Sequence, residues 1–399
     1  MKIAIIGGGA AGCFCAINAK RLIPESEVVI YEGGNKLLAK VAITGGGRCN
    51  VTNSFKQVVS TERVYPRGSK LMKHLLKVFS HTDAYNWFEE IGVPLMTQED
   101  ECVFPVSQDA MEIVNKMDIT LRRLGVIVKL KNQISDITTL QKEYDCIVVT
   151  VGGKPKISGM DFLSPLDIKC VPPVPSLFTF NIKDKELHEL MGTVVKQVST
   201  RLSGTKMTAS GPLLITHWGM SGPAILKLSS YGARWLAEND YQAELAINWF
   251  DDKNEEEVLS IIKDLAETNQ KKLLISVYPN IFIQRHWQYL ITKAGLSTER
   301  RWMDTGPKQM RKLASMLIND TYRITGKGAY KEEFVTCGGV ALTEINKNTL
   351  ESINHKGIYF AGEVLDIDAL TGGFNLQAAW TTGYVVSKAI AEKYYSNNV

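Results

Sequence analysis

"KIAIIGGGAAGCFCAINAKRLIPESEVVIYE", Lys2 to Glu32, decides the fold. "KIAII" reads as a continuous apolar strand, Ala11 to Leu22 as a small-residue helix ended by Pro24, and "EVVIYE" as a second strand. Apolar strands separated by a helix imply a parallel sheet covered on both faces. At the first strand–helix junction stands Gly7-x-Gly9-x-x-Gly12, and Glu32 closes the second strand. Each part has a mechanical reason. Gly7 permits the tight turn, Gly9 lets a pyrophosphate approach the backbone, and Gly12 allows close helix–strand packing. Free N–H groups and the dipole at the helix start favour a diphosphate. Glu32 can accept hydrogen bonds from an adenosine ribose. Strand, turn, helix and acid all stand where a dinucleotide fingerprint requires them.

Two later strands extend the sheet, at Tyr144–Gly153 ("YDCIVVTVGG") and Gly357–Glu363 ("GIYFAGE"). The second belongs to "GIYFAGEVLDIDALTGGFNLQAAWTTG", which reaches Gly362-Glu363 and then enters a helix through Gly372-Gly373. A strand ending in Gly-acid can bring a carboxylate to ribityl hydroxyls. A helix start at "GGFNLQ" can aim N–H groups at an isoalloxazine edge, where negative charge builds on reduction. These features point to FAD rather than NAD alone. The plain alternative is a glycine-capped core helix, since Leu376, Ala379, Trp380 and Gly383 share a helical spacing.

Between these parts the pattern changes. "VPPVPSLFTF" is proline-punctuated, and "TVVKQVSTRLSG" alternates apolar and polar residues, as a half-buried antiparallel strand does. Helical stretches follow at Ala224–Glu238, Glu255–Thr268, Ile281–Ala294 and Lys308–Asn319, with Pro223 and Pro307 suited to first turns. The expected organisation is a first part of the FAD-binding domain over 1–186, an inserted β/helical region over 187–334, and the return over 335–399. The terminal "YYSNNV" reads as a frayed end.

Composition narrows the function classes. The chain has 399 residues, 45% hydrophobic and 22% charged, with net charge +4, short of a dedicated nucleic-acid binder. No apolar stretch is long enough to span a membrane, and "MKIAIIGGG" lacks the apolar length of a signal peptide. Seven dispersed cysteines show no C-x-x-C pair and no zinc spacing. A cytoplasmic protein with reduced thiols and no metal is expected. Membrane attachment is not expected, and the oligomeric state is left open.

One further stretch stands out: "AITGGGRCNVTN", Ala42 to Asn53, whose three glycines cannot hold a helix or strand alone. With "GGGAAG", "FPVSQDA", "VVTVGG", "LLITHWGMSGPAILKLS", "FVTCGGVALTEI" and the carboxyl-terminal passage, the chain resembles the aminoacetone oxidase family of bacterial FAD-binding enzymes. These are relatives of the glutathione-reductase and fumarate-reductase fold type. The resemblance implies an α/β fold: a Rossmann-like three-layer FAD-binding domain interrupted by a β-barrel-like and helical insertion. It also implies that the "TGGGRCN" loop closes over the flavin side of the cofactor. The implied cofactor-binding residues are Gly7, Gly9, Ala10, Ala11, Gly12, Glu32, Gly46, Gly47, Arg48, Cys49, Asn50, Thr150, Gly152, Gly362, Glu363, Gly373, Phe374, Asn375 and Leu376. Arg48 would offset charge, and Asn50 would hydrogen-bond the cofactor. After "VGG" the chain departs from the family pattern with "KPKISGMDFLSPLDIKC", so contacts made there by relatives do not carry over.

Catalytic candidates are few. Cys49 beside Arg48 sits where a thiol pKa could fall, against the reading of a small residue packed under the flavin. Arg48 itself is a candidate. His217 in "THWGMSGP" could act as acid or base, or be a strand-end histidine satisfied by backbone. Ser221 in "GMSGP" lacks the last glycine of a nucleophile elbow, which excludes a hydrolase. "QKKLL", "ERRW" and "PKQMRK" give the insertion a basic flavour, read first as a solvated face and second as a surface for tRNA. The expected activity is an FAD-dependent oxidoreductase acting on a small molecule, with nucleic acid the lesser alternative. No second fingerprint is present, so NAD(P)H would bind only transiently. An oxidase and an NAD(P)H-linked reductase both stay open.

Overall fold

The computed structural model describes residues 1–154, 156–328 and 335–396. In it Lys2–Ile6 lies in parallel register between Glu27–Tyr31 and Cys146–Val149, with Ile5 opposite Ile30 on one side and Val148 on the other. Ile358–Phe360 adds beyond Cys146–Val149, and Ile127–Lys129 forms the other edge, completing a five-stranded parallel sheet. The central strands are apolar on both faces because both are covered: Ile3, Ala4, Ile5 and Val148 have no exposed surface.

The helix Ala10–Leu22 and the last helix, Phe374–Ser396, pack against each other. Close approach explains their small residues. A Cβ at Gly383 would stand 2.8 Å from the Ala11 carbonyl oxygen. Phe14 fills the remaining space, with ring centroids 4.3 Å from Trp87 and 5.3 Å from Trp380. Burying side chains of this size contributes roughly 1.5–3 kcal/mol each.

The chain divides into two compact units, Met1–Pro175 with Val335–Val399, and Ser176–Phe334. The insertion therefore begins at Ser176 rather than at 187. The reason is that Phe180–Ile182 is a barrel strand, pairing with Gly219–Ser221 on one side and Asp320–Lys327 on the other. With Val194–Leu202, Thr208–Thr216 and Ala243–Asn248 these close a six-stranded antiparallel barrel. The alternation expected of Val194–Leu202 is present, with Val195, Val198, Thr200 and Leu202 buried. Each unit carries its own apolar core.

The helices of the insertion fall close to expectation. Glu255–Thr268 starts with a capping box in which Asn254 and Glu257 exchange hydrogen bonds. Pro307 opens Pro307–Ile318, and Gln284–Lys293 lies within its predicted span. The stretch predicted as one helix over Ala224–Glu238 is two, Pro223–Tyr231 and Ala233–Glu238, parted at Gly232. The carboxyl terminus is not frayed at Tyr394–Ser396: the helix runs to Ser396, and the Tyr395 hydroxyl donates to the Leu22 carbonyl at 3.0 Å. The rest of that predicted end, 397–399, lies outside the described residues.

Candidate functional site

At the fingerprint the three glycines do different work. Gly7 has φ +108°, and a Cβ there would sit 2.5 Å from the Thr150 carbonyl oxygen. At Gly12 a Cβ would stand 2.0 Å from the Gly7 carbonyl oxygen. Gly9 is the opposite case: its φ of −84° suits any residue, yet nothing lies within 4 Å of a Cβ there. Two glycines are therefore demanded by packing, and the middle one opens onto free space at the helix start. Cys13 makes the first intrahelical bond, to Gly9, so the amides of Ala10, Ala11 and Gly12 have no helical acceptor. This is the arrangement a diphosphate fits.

Glu32 is placed by its own backbone neighbours. Its Oε2 accepts from the Gly8 amide at 2.7 Å and its Oε1 from the Gly34 amide at 2.6 Å. The carboxylate thus joins the glycine turn to the loop after the second strand, and each oxygen keeps acceptor capacity for a ribose. Thr150 spends its hydroxyl on the turn, donating to the carbonyls of Ile6 and Gly7 at 3.0 and 2.8 Å. It is a support of the turn rather than an open ligand.

In the second glycine segment, Thr44–Gly47 forms one turn in which Gly45 and Gly46 take left-handed φ of 58° and 70°. Space around Gly46 and Gly47 is open. Arg48 lies with its guanidinium carbon 4.4 Å from the Phe104 ring centroid and donates to the Gly45 carbonyl. Asn50 is held by its backbone surroundings. In the amide orientation that satisfies its neighbours it donates to the carbonyls of Thr52 and Val103 and accepts from the Gly373 amide. It ties the glycine segment to the start of the last helix. Asn375 is likewise committed, exchanging hydrogen bonds with both backbone groups of Ala369 at 2.9 Å.

Cys49 closes the glycine segment. It is fully buried, and burial pushes its thiol up to about 12, opposed only by a hydrogen bond with Thr44. The neighbouring arginine does not lower it, because the guanidinium is turned onto Phe104. His217 stands exposed at the hairpin turn between Thr208–Thr216 and Gly219–Ser221, its ring against Trp218. It belongs to the second unit.

Glu363 sits where the strand Ile358–Phe360 gives way to a short turn. Its Oε1 accepts from the Thr336 amide at 2.8 Å, and its Oε2 pairs with Lys40 at 3.2 Å. The adjoining cleft is lined by Gly152, Gly153, Lys154, Thr336, Gly338 and Glu363 among others. Gly362 reaches the first helix: a Cβ on it would come 2.8 Å from that of Ala11. The fingerprint, Gly152 and the Gly362–Glu363 turn are thus one neighbourhood. No motif marks Lys40 or Lys154. A single lysine in a mixed stretch carries no spacing signal, and Lys154 lies in the segment that departs from the family pattern.

The family profile described as "HI0933-like protein Rossmann domain" matches residues 1–389. The chain belongs to this family. Its architecture is a Rossmann-type FAD-binding domain carrying a closed six-stranded barrel as an insertion. Within reach of the family, the chain is 26% identical over 98% of both chains to a ribosomal RNA dihydrouridine synthase of Haemophilus influenzae. It is 24% identical, over 98% of this chain and 99% of the other, to a 3-dehydro-bile acid delta(4,6)-reductase of Clostridium scindens. Among solved structures, the 3-ketosteroid delta1-dehydrogenase of Sterolibacterium denitrificans superposes with TM-score 0.49 at 10% identity, covering 98% of this chain and 99% of that one. Among the described residues no group of three or more His, Cys, Asp or Glu is placed to hold a metal, and no helix is long and apolar enough to cross a membrane.

Proposed function

We propose that the protein is an FAD-dependent reductase of small organic molecules that saturates a carbon–carbon double bond conjugated with a carbonyl. The observation that carries the cofactor is the open backbone at Gly9, held between two glycines that packing requires. The amides of Ala10 and Ala11 would hold the diphosphate, Glu32 the adenosine ribose and Glu363 the ribityl chain. The amides of Phe374 and Leu376, at the start of the last helix, would face the pyrimidine edge. Bound FAD supplies a two-electron carrier that takes up a hydride and returns it. The chain supplies orientation and fixed dipoles.

The direction of reaction is drawn from the relatives. A delta(4,6)-reductase and a dihydrouridine synthase both saturate a double bond conjugated with a carbonyl, one in a bile acid and one in a uracil ring. Oxidation of an amine, as membership of the aminoacetone oxidase family would imply, runs the other way. Two basic residues of the insertion have partners within it, which supports a small substrate over RNA. Arg311 faces Glu255 and Glu256, and Arg300 donates to Gln309 at 2.7 Å.

Anaerobic mixing of the flavin-loaded protein with NADH and NADPH tests this reading. One of them should bleach the flavin band, and a 3-keto-4,6-diene steroid should then restore it. Recolouring by a uridine-containing ribosomal RNA fragment, and not by the steroid, would move the substrate to RNA. Bleaching by aminoacetone, with neither nicotinamide active, would make the protein an oxidase.

A further inference from the structure

Two lysines and two glutamates surround the open end of the fingerprint, and their pairing is uneven. Glu32 is held by two backbone amides, and Glu363 by the Thr336 amide together with Lys40. Lys154 has no hydrogen-bond or ion-pair partner among the described residues. Its stem is packed: a Cβ at Gly159 would come 2.8 Å from the Lys154 Cβ. The side chain is half-buried and lines the cleft with Gly152, Gly153 and Glu363. Desolvation lowers its proton affinity; the charge of Glu32 opposes this and that of Lys40 adds to it. A lysine with a free choice would extend into water and keep its hydration. Here one is held, without a hydrogen-bond or ion-pair partner among the described residues, between a like charge and a carboxylate that two amides already engage.

We propose that Lys40 and Lys154 form a two-lysine clamp for the diphosphate of the bound dinucleotide, with the Lys40–Glu363 ion pair as the latch that this diphosphate opens. The inference rests on the FAD reading above and assigns two residues that the glycine fingerprint does not include. The geometry links them to the diphosphate end. Lys40 holds Glu363, Glu363 follows Gly362, and Gly362 packs on Ala11 in the first turn of the fingerprint helix. Lys154 follows Gly152-Gly153, four residues after the Thr150 that fixes the Gly7 turn. A diphosphate at the helix start offers Lys154 the counter-charge it lacks and competes with Glu363 for Lys40. Once Lys40 turns to the phosphates, Glu363 Oε2 is released to accept a hydroxyl. Diphosphate binding and ribityl recognition are thereby coupled through one ammonium group.

The test titrates apo-protein with FAD and with riboflavin, following flavin fluorescence over a series of KCl concentrations. Lys40→Met and Lys154→Met should each weaken FAD by about tenfold at low salt, the size of one charge-assisted hydrogen bond. Each should also flatten the salt dependence of FAD binding, because a screened charge has been removed. Riboflavin, which has the ribityl chain but no phosphate, should bind Lys154→Met as it binds the wild type and Lys40→Met more tightly, because Glu363 is then already released, and this guards against a folding defect. Lys40→Arg and Lys154→Arg should recover most of the FAD affinity. Unchanged FAD affinity and salt slope in both Met variants would overturn the clamp. Tighter FAD binding by Lys40→Met would show that Lys40 only obstructs the site, and would also overturn it. Wild-type protein that binds no FAD at all would remove the cofactor reading itself, and the clamp with it.

Discussion

Arg67 and Asp368 face each other as an isolated antiparallel bridge, and the guanidinium meets the carboxylate through two parallel contacts, Nε to Oδ1 and Nη2 to Oδ2. The Asp368 side chain has no exposed surface and that of Arg67 is 14% exposed. The pair fastens the segment that leads into the last helix to a loop near the middle of the first unit. Removing the cation leaves a buried charge. Arg67→Met should therefore destabilise by about 3–5 kcal/mol in urea unfolding. Arg67→Lys should not rescue it fully, since an ammonium cannot reproduce the fork. An unfolding midpoint unchanged in Arg67→Met would show that water satisfies Asp368.

The fingerprint glycines should separate cleanly by mutation. Gly9→Val should leave the unfolding temperature near the wild-type value, because the site is open, while the protein loses its yellow colour. Gly12→Val should fail to fold or unfold at much lower temperature, since its Cβ would strike the Gly7 carbonyl. A folded, colourless Gly12 variant would contradict this assignment.

Glu32→Gln changes only one oxygen to nitrogen, yet both carboxylate oxygens accept from amides. The new NH2 must face an N–H donor. A loss of about 1–3 kcal/mol of stability is expected from the frustrated donor. FAD should weaken more than FMN, which lacks the adenosine ribose; equal weakening of the two would place Glu32 elsewhere.

Thiol reactivity should be confined to one position. Six of the cysteines are buried and Cys170 is partly exposed. A thiol reagent added to native protein should modify Cys170 first and leave Cys49 untouched until unfolding. Rapid loss of Cys49, read by mass spectrometry, would mean that its pocket opens.

His286 gives a pH dependence with a definite sign. It has no exposed surface, lies against Trp249 and Phe282, and neither ring nitrogen has a hydrogen-bond partner among the described residues. Burial, aided by Arg285, lowers its pKa from 6.5 to about 3. The unfolded chain therefore binds the proton more readily. Stability from this group is intact above pH 6.5 and falls as pH drops, by about 1.4 kcal/mol per unit once well below 6.5. Between pH 6.5 and 5 the unfolding midpoint of His286→Leu should decline less than that of the wild type. Parallel curves would show that the ring protonates without unfolding.

Much of the fold was legible because it rests on periodicity. Lys2–Ile6, Glu27–Tyr31 and the alternating Val194–Leu202 announce themselves by apolar pattern. The edge strand Ile127–Lys129 did not, since an exposed edge carries no alternation. The early start of the barrel was hidden by the proline-rich passage before Phe180–Ile182. In the site, glycine spacing revealed which backbone turns matter, but not where the side chains between them point. Asn50, Asn375 and Thr150 look like ligands in a motif, yet bond to their own backbone surroundings. Lys40 with Glu363, and Arg67 with Asp368, meet across hundreds of residues and leave no local trace.

The division of the chain has a bearing on synthesis. Every stave of the barrel lies between Phe180 and Lys327, so that unit emerges from the ribosome whole and can fold while translation continues. The parallel sheet, by contrast, lacks its Ile358–Phe360 edge, and its first helix lacks the partner that covers it, until the segments that follow the barrel have emerged. The nascent amino-terminal portion must therefore wait, with apolar strands exposed, until the residues beyond the barrel have been made. Chaperone demand should fall on this portion and not on the middle of the chain.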